Sequence, residues 1–118
     1  MGSASVQGLN LSAGCPSGVV VGSMAAFRGT AGYTLVNSGD SDAIVHALAE
    51  MADDRGASTS DDQGNLLISA GSSQQINHVL SLSSRYDDVG LVTVTVKVTV
   101  SGDASLSDST FCTFIVNQ

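Results

Sequence analysis

Tryptophan is absent, proline occurs once, and four lysine or arginine residues stand against eleven aspartate or glutamate residues. Each scarcity excludes something. A formal charge of −7 repels the backbone of a nucleic acid and an anionic membrane surface, so no nucleic-acid partner is expected. No apolar run approaches the length of a spanning helix, so no membrane insertion is expected either. Glu50 is the only glutamate and Lys97 the only lysine, which removes most of the residues that build helix surfaces. Common reactive motifs are missing too: there is no G-x-S-x-G elbow, H-E-x-x-H pair, C-x-x-C pair or phosphate loop. The expectation is a chain without catalytic residues or a bound cofactor, and not an enzyme.

What remains is rich in serine, threonine, valine, glycine and aspartate. In "LVTVTVKVTV" (91–100), Val92, Val94, Val96, Val98 and Val100 alternate with Thr93, Thr95, Lys97 and Thr99. Strand side chains point to opposite faces with a period of two, so the valines share one buried face. A parallel strand covered on both faces would instead read as one apolar run. The pattern predicts an antiparallel sheet.

Other strands are expected at 18–23, 26–37, 64–73, 75–83 and 110–117, separated by turn-rich stretches such as "NSGDSD" (37–42). Segment 41–56 is open between two readings. Ile44, Val45, Leu48 and Met51 have helical spacing, with Gly56 as a cap; as a strand, Val45, Ala47, Ala49 and Met51 share a face. The strand reading is preferred, because a lone helix between hairpins must find somewhere to pack. One domain over 1–118 suits the length. Residues 1–14, short of apolar side chains, are expected to be loosely ordered. Met1-Gly2-Ser3 reads as a vector-derived start, so any native leader is expected to have been removed.

Chemistry is sparse. Asp53, Asp54, Asp61 and Asp62 fall within one acidic stretch, and calcium takes its six to eight oxygens from such loop carboxylates. Residues 53–62 are therefore the candidate calcium site, weighed against an ordinary solvated turn. His46, His78 and Cys112 lack the closely following histidine and methionine of a copper site, so each histidine is expected to be partly buried with a hydrogen-bond partner. "LSAGC" (11–15) is too polar upstream for a lipid attachment signal at Cys15, and Asn10-Leu11-Ser12 matches a glycosylation sequon. Cys15 and Cys112 read as one disulfide; the alternative is a buried free Cys112 with an exposed Cys15.

"YDDVGLVTVTVKVTV" (86–100) resembles bacterial and archaeal immunoglobulin-like surface modules of the PKD type, with Tyr86, Gly90, Val94, Val96 and Val98 on the matching positions. "YTLVNSGDSDAIVHA" (33–47) and "ISAGSSQQINHVLSL" (68–82) resemble the CARDB-type adhesion module. The resemblance implies an immunoglobulin-like antiparallel β-sandwich of about seven strands. It gives Tyr86 and Gly90 structural roles, the tyrosine hydroxyl bonding to nearby backbone. It also implies a non-catalytic module at the cell surface or outside the cell, with a structural or adhesion role and a protein or glycan partner. A different class remains open: a virion or filament subunit that self-associates through its edge strands. A small secreted enzyme or inhibitor is the third reading.

Overall fold

The computed structural model describes residues 4–118. These form eight strands: β1 (Ala4–Gly14), β2 (Val19–Val20), β3 (Ser23–Asn37), β4 (Ala43–Asp53), β5 (Ser58–Ile68), β6 (Ser73–Tyr86), β7 (Gly90–Gly102) and β8 (Leu106–Asn117). They lie in two sheets, one of order β1-β3-β6 and one of order β2-β8-β7-β4-β5. Every pairing is antiparallel except that of β2 with β8. The chain crosses between the sheets at β1–β2, β2–β3, β3–β4, β5–β6 and β6–β7, which makes an immunoglobulin-like β-sandwich. No helix among the described residues is long and apolar enough to cross a membrane.

The valine face of β7 points between the sheets, with Val92, Val94, Val96 and Val98 fully buried. Opposite them in the same sheet, Ala43, Val45, Ala47, Ala49 and Met51 of β4 are also fully buried. That alternation settles Ala43–Asp53 of segment 41–56 as strand: a helix would have spread these five residues around its circumference. Phe27, Ala31, Tyr33 and Leu35 of β3 supply the facing layer, as their spacing predicts. Alanine and valine fill much of the core, beside larger side chains such as Tyr33, Leu35, Met51 and Tyr86. At Gly29 an added Cβ would lie 2.5 Å from Val96 Cγ2. Long strands give a slender body of 59 × 20 × 16 Å.

Three expectations are corrected. Residues 4–14 are not loose: they form strand β1, paired along its length with β3. Its small apolar side chains, from Ala4 to Ala13, are partly buried against both core clusters. Residues 18–23 yield only the two-residue β2, after which β3 begins at Ser23 in the other sheet. The strand expected from Gly64 begins at Ser58 instead, so the acidic stretch 58–62 is itself strand. Met1-Gly2-Ser3 lies outside the described residues.

The two flanks of the sandwich are fastened differently. On one, where β1 and β8 meet, Cys15 and Cys112 form a disulfide with Cα atoms 5.9 Å apart, joining the sheets covalently. On the other, β5 faces β6 and the ties are polar.

Candidate functional site

Chemistry-bearing side chains converge on the polar flank. Consecutive residues of a strand face opposite ways, so Asp61 points inward from β5 and Asp62 outward. Asp61 reaches across to the other sheet, where His78 projects inward from β6 between Ile76 and Leu80. The His78 side chain is 0% exposed. Its Nδ1 lies 2.8 Å from Asp61 Oδ2, and its Nε2 lies 2.9 Å from the hydroxyl of Tyr33, on β3. An ionised carboxylate only accepts, which places a ring proton on Nδ1 towards Asp61. Gln63 closes the group, donating to Asp61 Oδ2 at 3.2 Å and to the Asn77 carbonyl at 2.9 Å.

The surroundings shift the two outer members of this chain, Asp61 and Tyr33. Desolvation pushes the Asp61 carboxyl upward, but the hydrogen bonds from Gln63 and His78 and the charge on His78 outweigh it and hold it below the ordinary carboxylate value. The Tyr33 phenol is pushed up to about 12, first by burial and then by the Asp61 charge. The order carboxylate–imidazole–hydroxyl is that of a nucleophilic triad, but here the hydroxyl is buried and becomes harder to ionise, not easier. The group fixes one sheet against the other.

A second tie lies at the end of the same flank. Tyr86 donates to Asp53 Oδ2 at 2.7 Å, while Asp53 Oδ1 accepts from the backbone N–H groups of Arg55 (2.9 Å) and Ala57 (2.8 Å). The expected tyrosine bond to backbone is thus a bond to a carboxylate, which in turn shapes the β4–β5 turn. Burial first, then the hydrogen bond and charge of Asp53, raise the Tyr86 phenol above its ordinary value. Its ring packs edge-on against Phe114, 5.2 Å away. Gly90 opens β7 at φ +140°, where a Cβ would stand 3.4 Å from Arg55 Nη2.

The four aspartates of the candidate calcium stretch do not share one loop. Asp53 and Asp54 sit at the β4–β5 turn, where Asp54 Oδ1 accepts from Thr93 N–H. Asp61 lies four positions beyond that turn, about 13 Å along the strand. Asp62, on the outer face, pairs with His46 at 2.9 Å and accepts from Gly64 N–H. Among the described residues no three His, Cys, Asp or Glu side chains gather as a metal cluster. Cys112 is consumed by the disulfide, which also removes it from any copper site and Cys15 from lipid attachment. Both histidines have carboxylate partners; His46 is partly buried, as expected, whereas His78 is fully buried. The signal for His78 was its inward parity between Ile76 and Leu80; its partner, 17 residues away across the sandwich, left none.

No family model matches the chain, and no curated protein matches it. Solved structures do share its fold. One is the Pseudomonas fluorescens alkylpurine DNA glycosylase AlkC bound to DNA containing an abasic site analog. It is 15% identical at a TM-score of 0.51, with the match covering 98% of this chain and 31% of that one. Another is Bacteroides uniformis β-glucuronidase 2, 11% identical at a TM-score of 0.52, covering 97% of this chain and 14% of that one. This chain thus spans a third or less of either enzyme. The CARDB domain of a Pyrococcus furiosus protein, in complex with di-metal ions, is 14% identical over 99% of this chain and 93% of that domain, at a TM-score of 0.46. At such identities the likeness shows the fold alone.

Proposed function

We propose that the protein is a non-catalytic immunoglobulin-like module, of the kind found in PKD-like and CARDB-like surface proteins, with a structural or adhesion role outside the cell. The observation that carries this reading is the disulfide between the sheets of a slender sandwich. Such bonds persist in oxidising compartments and are rare in the cytosol. The polar clusters support it as well, since their hydrogen bonds are spent on joining strands. A protein or glycan is the expected partner, and no bound metal enters the reading.

A self-assembling virion or filament subunit is the second reading, favoured by one feature. The outer face of the five-stranded sheet exposes Val20, Leu91, Phe111 and Ile115 around the end of β8, with Leu91 directly opposite Ile115. Light scattering on the purified, oxidised chain separates the two. The module reading expects a monomer of 11.9 kDa. Large polymers would overturn it in favour of the subunit.

A further inference from the structure

The two ends of the described chain leave from opposite poles of the body. Ala4 pairs with Asn37 at one end of β3, and its N–H donates to the Asp103 carbonyl. Asn117 lies at the other end, where its carbonyl accepts from Val21, two residues before β3 begins. With β3 15 residues long, the poles are roughly 46 Å apart at ~3.3 Å per residue.

Between those poles runs a short covalent route. It follows β1 from Ala4 to Gly14, crosses the Cys15–Cys112 bridge, and continues down the last part of β8 to Asn117. β1 and β8 both run from the first pole towards the second. Nearly all of this route is already in extended strand conformation, so it has little slack to give up. About 18 residues at 3.3–3.6 Å each, with the bridge, reach about 65 Å when pulled taut, about 20 Å beyond the separation of the poles. The loop between the cysteines, with a sequence separation of 97, is bypassed altogether.

We infer that the protein bears tension, the bridge making it a strut of short, fixed reach whose load passes through β1, the disulfide and the end of β8. The inference builds on the structural-module reading but stands on the path of bonds. β1 is held along its length by β3, and the end of β8 by β7 and β2. A pull along the body therefore loads these ladders in shear, many hydrogen bonds at once. Residues between the cysteines lie off the covalent route, so their backbone is not drawn taut.

Single-molecule pulling on the full chain through handles at its two ends tests this. The oxidised protein should lengthen by no more than about 20 Å before the handles fail. The same protein pulled in a dithiol reductant, and the Cys15→Ser/Cys112→Ser variant, should each unfold with a gain of about 350 Å. A long step in the oxidised protein overturns the inference, and so does a short one after reduction. If the double variant fails to fold, the reduced wild type gives the same comparison. Polymers in light scattering would sink the module reading and leave the extension result standing.

Discussion

Gly29 is a point of close contact between the two sheets, and replacing it with alanine tests how tightly the core is closed there. The added Cβ would stand 2.5 Å from Val96 Cγ2 and 3.4 Å from Met51 Sδ. Val96 is 0% exposed on the central strand β7, between neighbours β4 and β8, so it has nowhere to retreat. Overpacking of this kind costs about 1–3 kcal/mol. With an unfolding entropy of about 2.1 cal/mol/K per residue, the chain's 118 residues give about 0.25 kcal/mol/K, so Tm should fall by about 4–12 °C. Val96→Ala removes the clashing methyl but leaves a cavity worth about 2 kcal/mol. The two defects are complementary. In Gly29→Ala/Val96→Ala the new methyl occupies part of the space vacated, and the double variant should be destabilised by clearly less than the sum. Thermal melts of all four proteins, in oxidising buffer, measure the coupling. Strict additivity, or a Gly29→Ala variant that melts with the wild type, would refute the close approach of the sheets.

The facing of β7 predicts that Val96→Asp, which buries an unpaired carboxylate, costs several kcal/mol while Thr95→Asp on the outer face is mild; equal denaturation midpoints would reverse the facing. Asp61 has its carboxyl held low in the fold, so its contribution is present above the ordinary value of 3.8 and is lost as pH falls through the folded value. Asp61→Asn should therefore cost about 1 kcal/mol near neutrality, discounted for solvent exposure, and flatten the acid limb of a urea-stability profile. The chain has two tyrosines, and both phenols are raised, so phenolate absorbance should not develop around pH 10 while the fold persists. The stability from these raised values is complete below the unfolded value and is lost as pH climbs towards about 12 at Tyr33; ordinary titration of either tyrosine in the folded protein would contradict the buried ties.

The strands that were legible in the sequence are those whose alternation runs unbroken. β7 keeps one parity from Val92 to Val100, and β3 does so from Ala25 to Leu35. The two that were missed, β1 and the first half of β5, each carry a bulge. In β1 the inward residues are Ala4 and Val6 before the irregularity and Leu9, Leu11 and Ala13 after it. Gly8, at φ +65°, absorbs the extra residue and flips the parity. In β5 the register shifts near Gly64, at φ +69°, so Thr59 and Asp61 face inward before it and Leu66 and Ile68 after it. A one-residue shift turns a period-two pattern into apparent noise, and aspartate at an inward position reads as loop. The disulfide followed from counting cysteines. The Asp61–His78–Tyr33 chain could not, because its members lie on three strands and two sheets, and nothing local couples them.

The unequal flanks also dictate how the folded protein breathes. A sandwich bound covalently along one side and by hydrogen bonds along the other opens like a book, with the Cys15–Cys112 side as its spine. Thermal fluctuations that part the sheets must begin where Asp61, Gln63 and Tyr86 hold the pages shut, admitting water to His78 and Tyr33 before it reaches the valines near the spine. Amides of β5 and β6 should then exchange with solvent by small partial openings, whereas those of β8 beside Cys112 wait for the whole binding to come apart.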